Sequence, residues 1–260
     1  MLNDMGEFII GLTMFAGFLL AAESGFRLGR HFLPADEPHL HSHVQALQTA
    51  LLGLLALLVG FTLAMAVSRF DMRKELVLAE SNAIGTAYLR SDLLGEPNRS
   101  EAARLLRAYV DARLDFYDAG ADAGRLAAAN AEARRLQAKL WTIAVDSAAK
   151  DPRPVSVSLF TQALNDVIDL YEKRLRALEN RVPDVVFYLL FIVAAVGIGF
   201  IGYGAALSGR RYFRSTALVS LLVMLVIVAV MDLDRPRRGL ITVGQSSMLA
   251  LKKAVAESPH

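Results

Sequence analysis

The sequence predicts an all-α membrane protein with four transmembrane helices and a helical cytoplasmic domain inserted between spans 2 and 3. Its long apolar runs come in two pairs, at 8–22 with 47–67 and at 185–207 with 216–231. Each run is nearly free of ionisable side chains over a length close to the ~17–25 residues that cross a bilayer as a helix. A charged stretch of more than a hundred residues separates the two pairs and shows no strand-like alternation of useful length.

These runs divide the chain into four parts. Membrane helices 1 and 2 lie in 1–68, and a cytoplasmic helical domain with stalks lies in 69–182. Membrane helices 3 and 4 lie in 183–232, and a cytoplasmic C-terminal segment follows in 233–260. The formal net charge is only +2, so no basic field for nucleic acid is expected. The chain has no cysteine, which removes thiolate catalysis and Cys-based metal sites. We predict neither an enzyme nor a cofactor, because no constellation of nucleophile, base and metal ligands emerges.

The first span is predicted to be a retained helix. The residues before it include Asp4 and Glu7 but no Lys or Arg, the opposite of a signal-peptide leader. In the loop that follows, His39, His41 and His43 alternate and in principle suit zinc, nickel or copper. Three imidazoles without a fixed fourth ligand favour a solvated, pH-responsive loop over a metal site.

The second span is predicted to continue beyond the membrane as a stalk. No proline lies between Pro38 and Pro97, and the pattern across that interval stays compatible with helix. A helix from about Gln45 to Leu94 would be roughly 75 Å long, more than twice the ~30 Å hydrocarbon thickness.

Apolar side chains spaced three and four residues apart predict three packed helices in the soluble part. Their seams are Leu105, Tyr109, Ala112 and Phe116; then Leu126, Ala129, Ala133, Leu136, Leu140, Ile143 and Ser147; then Leu164, Ile168, Tyr171, Leu175, Leu178 and Val182. The last of these helices is predicted to run through Pro183 into the third span. A short helix over 248–255 is expected to lie along the domain.

Small residues in the spans indicate close helix packing. Gly197, Gly199 and Gly202 spell GxGxxG, which suggests a dinucleotide site only after a strand, and no strand precedes them here. Inside an apolar span such residues let helix backbones approach. Gly53 and Gly60 in the second span have the same interpretation, which predicts contact between the second and third spans.

The distribution of Lys and Arg near the membrane predicts the orientation. The side shared by both termini and 69–182 carries more of these residues than the other side, which has Arg27, Arg30, Arg210, Arg211 and Arg214. By the positive-inside rule, the domain and both termini are cytoplasmic, although the basic loop at 209–214 opposes this assignment.

Two polar motifs carry a family resemblance. One runs from Arg73-Lys74-Glu75-Leu76 to Arg90 and includes Glu-Ser-Asn-Ala-Ile-Gly-Thr-Ala-Tyr-Leu-Arg; the other is Asp-Leu-Asp-Arg-Pro-Arg-Arg-Gly after the last span. From about residue 47 to 245 the chain resembles the bacterial bestrophin-like membrane-protein family, remotely related to the pentameric bestrophin anion channels. The resemblance implies a multi-pass protein of the bacterial inner membrane. Its polar motif residues are Glu80, Asn82, Arg90, Asp232, Asp234, Arg235, Arg237 and Arg238.

Each motif has a structural and a functional interpretation. Small neighbours place Glu80 and Asn82 in a crowded interface, where a hydrogen-bonded network is favoured over a ligand or ion contact. The charges that begin at Asp232 follow the fourth span directly. Lipid-phosphate anchoring or local Asp–Arg pairing is favoured there over a cytoplasmic ion vestibule.

Ion conduction is the leading functional hypothesis. Four spans with few polar groups cannot enclose a water-filled path alone, so a homo-oligomer within membrane lipid is expected, a pentamer by resemblance. The second span would line the pore. Its apolar constriction would consist of Leu54, Leu58, Phe61 and Met65. Rings of Arg69 and Arg73 at the cytoplasmic mouth would favour inorganic anions. The alternative is a non-conducting scaffold or sensor whose stalks relay the state of the membrane.

Overall fold

The computed structural model describes residues 6–32, 38–150, 154–235, 237 and 240–257. Within them the chain forms eight α-helices and no β-strand, so the predicted all-α fold is confirmed. The helices are α1 (Glu7–Phe32), α2 (Pro38–Ser91), α3 (Asn98–Asp118), α4 (Ala123–Lys150), α5 (Pro154–Glu179), α6 (Asp184–Leu207), α7 (Phe213–Asp234) and α8 (Ser246–Glu257).

In the part of the chain that the structure describes, four helical stretches are long and apolar enough to cross a membrane, in agreement with the four predicted spans. They lie within Phe8–Phe32, Leu40–Ser91, Val155–Leu207 and Phe213–Asp234. The apolar run predicted at 185–207 places the third of them in α6.

The chain folds into two compact units. The membrane unit comprises Met1–Ser68, Arg181–Arg235 and Gly239–Ile241, and the helical unit comprises Arg69–Asn180, Pro236–Arg238 and Thr242–His260. Helix α2 contributes to both, because the division falls between Ser68 and Arg69.

Helix α2 has 54 residues, which corresponds to about 80 Å at 1.5 Å per residue. Pro38 is its first residue, where the missing N–H breaks no hydrogen bond of the helix. The next proline is Pro97, beyond its end. The predicted extension of the second span as one long helix is therefore confirmed.

The helix predicted to run through Pro183 is interrupted there. Helix α5 ends at Glu179 and α6 begins at Asp184, while Pro183 is extended with φ −57° and ψ 135°. The proline ring disfavours helical backbone at Val182, the residue before it. The Val182 N–H donates instead to both carboxylate oxygens of Asp234, at 3.0 Å each. The prediction of a continuous helical connection was wrong at this end of the domain.

In the membrane unit, α1 and α6 approach until their backbones touch. A Cβ atom on Gly25 would lie 2.0 Å from the carbonyl oxygen of Gly199, and one on Gly202 would lie 2.0 Å from that of Ala22. Carbon and oxygen atoms that are not bonded do not come so close, so the crossing requires glycine at Gly25 and Gly202. This contact confirms that Gly199 and Gly202 serve helix packing.

The predicted small-residue contact between the second and third spans differs from the observed one. A Cβ on Gly197 would lie 3.5 Å from the Leu52 side chain of α2, an ordinary van der Waals distance. Gly53 and Gly60 have no such neighbour within 4 Å among the described atoms. The backbone contact of α6 is made with α1, which carries its own small residues.

The apolar seams of α3, α4 and α5 are buried together in the helical unit. Tyr109, Leu140, Leu164 and Tyr171 are all completely inaccessible to solvent. Ile84 brings α2 into the same core. The predicted seams therefore identify the faces on which these helices pack.

Helix α8 also lies on the helical unit, as predicted for residues 248–255. Met248 is completely buried, and Val255 is nearly so. The Ser81 hydroxyl donates to the carbonyl of Ser247 at 2.9 Å, and Arg107 Nε donates to the carbonyl of Val255 at 2.9 Å.

A single methyl group added at the α1–α6 crossing is expected to destabilise the protein. Gly25→Ala is expected to lower the free energy of unfolding by about 1–3 kcal/mol, because the methyl must displace the Gly199 carbonyl. Gly11→Ala, on the same helix, is the matched control, since its Cβ would meet Met224 Sδ at 3.4 Å and Val228 Cγ2 at 3.5 Å. Thermal unfolding of the purified protein in detergent measures both variants. Equal unfolding temperatures would contradict the backbone contact.

Candidate functional site

Within the membrane unit, α2 is buried along one narrow stripe. Leu55, Thr62 and Ala66 are almost inaccessible, and they lie seven and four residues apart. Such spacings keep side chains on one side of a helix. The remaining sides of this part of α2 are largely exposed in the single chain.

The predicted pore-lining side chains lie beside this stripe. Leu54, Phe61 and Met65 each precede a buried residue by one position, which places them about 100° around the helix. Phe61 exposes 66% of its surface, Leu54 45% and Met65 42%. Leu58 is half-buried and packs against the core of the membrane unit. The structure thus presents a row of large apolar side chains on the surface of α2.

The two predicted arginines are rotated step by step from that row towards the buried stripe, with Arg69 at the margin of the row and Arg73 beyond it. The steps from Met65 to Arg69 and from Arg69 to Arg73 are both four residues. Each such step advances about 40° beyond a full turn. Arg69 is accordingly half-buried, and Arg73 reaches the buried side of the helix.

Arg73 caps the end of a neighbouring helix. Only 3% of it is exposed, and its Nε and Nη2 donate to the carbonyls of Ala177 at 3.0 Å and Asn180 at 2.9 Å. Carbonyls at a helix C-terminus lack intrahelical donors and carry partial negative charge, which the guanidinium complements. In the folded chain Arg73 therefore holds the end of α5, and we exclude it from the predicted basic ring.

Glu80 lies at the centre of a buried ionic cluster. It is fully buried and accepts from Arg113 Nε at 2.7 Å and from Arg113 Nη2 at 3.3 Å. Arg174 Nη1 also donates to this carboxylate, while Arg174 Nη2 donates to Gln245 Oε1 at 2.6 Å. One carboxylate thus joins α2 to α3 and α5, as the hydrogen-bonded network interpretation expects.

Aromatic rings complete the surroundings of the cluster. The Cζ of Arg113 lies 4.9 Å from the ring centre of Phe116 and 4.8 Å from that of Tyr171, within cation–π range. Burial raises the pKa of the Tyr109 phenol far above its ordinary value. The Tyr109 hydroxyl is therefore neutral, and it accepts a hydrogen bond from Gln137 at 3.0 Å.

Sequence reasoning did not single out Arg113 or Arg174. Arg113 lies between Tyr109 and Phe116 on an apolar seam, and Arg174 lies three residues after Tyr171 on another. Each is a charged side chain within a seam of buried residues, and this was the signal in the sequence that could have identified the cluster. A buried charge of this kind needs a buried partner of opposite sign.

The other motif residues of α2 lie outside the cluster. Asn82 is exposed. Arg90 is half-buried, and its Nη1 donates to the carbonyl of Leu159 at 2.9 Å. Of the three predicted polar positions on this helix, Glu80 alone is part of the ionic cluster.

Two aspartates at the end of α7 bind main-chain N–H groups in the membrane unit. Asp232 accepts from Leu240 at 2.8 Å and from Ile241 at 2.9 Å, and Asp234 accepts from Val182. Both aspartates are almost completely buried. Their carboxylates fix the chain where it enters α6 and where it leaves α7, a role that none of the sequence interpretations included.

The arginines after α7 have separate surroundings. Arg235 is half-buried at the C-terminus of α7. Arg237 belongs to the helical unit, where its Cζ lies 4.1 Å from the ring centre of Phe116 and its Nη1 donates to the Gly120 carbonyl at 3.4 Å. Arg238 lies outside the described residues.

The histidine loop is only partly described. His41 and His43 are exposed at the start of α2, and the side chain of His39 lies outside the described part. Among the residues that the structure describes, no group of three His, Asp or Glu side chains is placed to hold a metal ion.

Replacing the Glu80 carboxylate by an amide is expected to destabilise the helical unit strongly. Glu80→Gln keeps the side-chain shape but leaves two buried guanidiniums without their anion, so it should cost about 3–5 kcal/mol of unfolding free energy. Glu101→Gln is the control, because Glu101 forms a solvent-exposed pair with Arg104 whose loss should change the stability little. Chemical denaturation of both variants makes the comparison. Similar losses would show that Glu80 is not the centre of the cluster.

Comparison with known proteins identifies the family. The sequence matches the family model of the bestrophin-like domain over residues 16–248. No curated protein matches the sequence significantly.

Crystal structures of a bacterial bestrophin homolog from Klebsiella pneumoniae share the fold. A tyrosine-to-alanine variant is 14% identical, with a TM-score of 0.65 over 95% of this chain and 97% of that chain. A leucine-to-threonine variant is 14% identical, with a TM-score of 0.64 over 94% and 98%. A structure solved by Zn-SAD phasing is also 14% identical, with a TM-score of 0.64 over 97% and 98%. The family match covers most of the sequence, and the chain therefore belongs to the bestrophin-like family of helical membrane proteins.

Proposed function

We propose that this protein is a homo-oligomeric ion channel in which the membrane part of α2 lines a central pore. Family membership and the exposed apolar row Leu54, Phe61 and Met65 support this proposal. The row is the observation that carries it, because large apolar side chains covered by nothing in the single chain suit a shared axis between copies.

The proposed constriction works by excluding water. Rotated copies of α2 around an axis bring one Phe61 from each subunit to the same height, with Leu54 and Met65 one to two turns away. A narrow ring of such side chains dewets and blocks ions until it widens. Leu58 borders this ring from its half-buried position.

The expected anion preference depends on Arg69. It is half-buried, follows Met65 by one turn, and would place a ring of positive charge at one mouth of the pore. Met72 is 44% exposed and continues the apolar row where Arg73 was expected. Chloride and other inorganic anions are therefore the proposed ions, and five subunits the proposed number by resemblance to the bestrophins.

The proposed setting is the bacterial inner membrane. Membrane lipid surrounds the four spans, and both termini and the helical unit lie in the cytoplasm by the positive-inside rule.

A second function is a non-conducting scaffold or sensor. The continuous helix α2 favours it, because residues of this one helix belong both to the membrane unit and to the helical unit. This function would keep the oligomer but require no flux.

The orientation is tested with fusions to the full chain. A reporter that is active only in the cytoplasm should be active after His260, because the Lys and Arg excess lies on that side. The same reporter inserted near Asp36 should be inactive. Inverted behaviour of the two fusions would overturn the orientation and the position of Arg69 at the cytoplasmic mouth.

The pore is tested by flux in reconstituted liposomes. Phe61→Ala should raise anion flux, because it removes the largest side chain of the proposed constriction. Leu63→Ala is the matched control, since Leu63 lies two residues on and about 200° around the helix from Phe61.

In the same liposomes, Arg69→Glu should lower the permeability to anions relative to cations, which is measured as a shift of the reversal potential towards the value expected for cations. If wild type and Phe61→Ala both pass no ion at any voltage or pH, the scaffold replaces the channel. Equal gains in flux from Phe61→Ala and Leu63→Ala would show that the proposed face does not line the path.

A further inference from the structure

The helical unit contains a cavity of about 260 Å³ with charged and apolar walls. Its apolar walls include Val77 from α2, Phe116 from α3 and Leu178 from α5. Val243, from the segment before α8, closes another side. The cavity is thus built by four separate parts of one compact unit.

Three arginines are among the residues that line this cavity. They are Arg73, Arg174 and Arg237, whereas Asp118 is the one carboxylate among the described lining residues. Arg237 is held against Phe116 by its ring contact at 4.1 Å. The planar guanidinium groups of arginine bind carboxylates through paired N–H donors.

The buried ionic cluster, which Arg174 shares with the cavity lining, contains more cationic than anionic side chains. Arg174 shares the single carboxylate of Glu80 with Arg113, so two cations face one anion. Among the described residues, Arg113 Nη1 makes no hydrogen bond. Burial holds the pKa of Arg174 below its ordinary value, which reflects the unfavourable desolvation of its charge.

We propose that this cavity binds a small organic monocarboxylate with a hydrocarbon body. Its carboxylate would lie at Arg174 and Arg237, and its hydrocarbon body would lie against Val77, Leu178 and Val243. An anion there supplies the negative charge that the cluster lacks, and the apolar walls exclude a fully hydrated inorganic ion. The volume suits a molecule smaller than most drugs.

Titration calorimetry on the full chain in detergent tests the site with benzoate. We expect saturable binding of benzoate and at least tenfold weaker binding of benzyl alcohol, which has the same ring without the charge. Inorganic phosphate should bind at least tenfold more weakly too, because it has no hydrocarbon body.

Two variants test separately the positive charge at the cavity and the free volume inside it. Arg237→Gln should weaken benzoate binding about tenfold or more, because it removes a charged donor at a half-buried position. Leu178→Trp should abolish binding by filling the cavity while it keeps every charge. Arg104→Gln is the matched control, since this exposed arginine pairs with Glu101 away from the cavity lining. Circular dichroism and the unfolding temperature verify that each variant is folded.

Three results would overturn the proposal. No saturable benzoate signal with the wild type shows that the cavity is not a carboxylate site. Equal binding of benzyl alcohol, or equal binding of phosphate, shows that charge and hydrocarbon are not recognised together. Equal weakening by Arg104→Gln and Arg237→Gln shows binding to dispersed surface charge.

Discussion

The buried carboxylate of Glu80 sets the arrangement of the helical unit. Apolar seams with a repeat of three and four residues tolerate a slide of one helical turn, because one aliphatic side chain replaces another. A carboxylate with fixed guanidinium donors tolerates no such slide, since a shift of one turn leaves charges buried without partners. The bonds from Arg113 and Arg174 therefore fix the register of α2 against α3 and α5. Gln245 connects the segment before α8 to the same cluster.

Much of the fold follows from periodicity and from the placement of prolines. Seams such as Tyr109 with Phe116 predicted the buried helix faces, and the absence of proline predicted the length of α2. The break before α6 was missed although Pro183 marked it, because Val182 continues the three- and four-residue spacing of the α5 seam up to that proline. The partner of Gly199 was missed because small residues show that a close contact exists without showing which helix makes it.

The candidate sites were less predictable than the fold. The helical period places Leu54, Phe61 and Met65 near one another on α2, but Arg73 lies two further four-residue steps beyond Met65, where the same period has rotated it into the core. Arg113 and Arg174 were overlooked because a charge is more often solvated than buried. The motif residues Glu80, Asp232 and Asp234 all prove to be buried and bonded within the chain. These three carboxylates therefore hold together parts of this chain's own fold.

The backbone contact between α1 and α6 determines where the membrane unit can deform. The separation of these two helices is set by main-chain atoms, at Gly25 with Gly199 and Ala22 with Gly202. No change of side-chain rotamer can bring these two helices closer together, because main-chain atoms are already in contact there. The membrane part of α2, in contrast, is held along a single stripe of side chains, which permits small sliding and rotation by repacking. Sliding of α2 along the α1–α6 pair would therefore meet side-chain contacts, whereas separation of α1 from α6 is set by main-chain atoms.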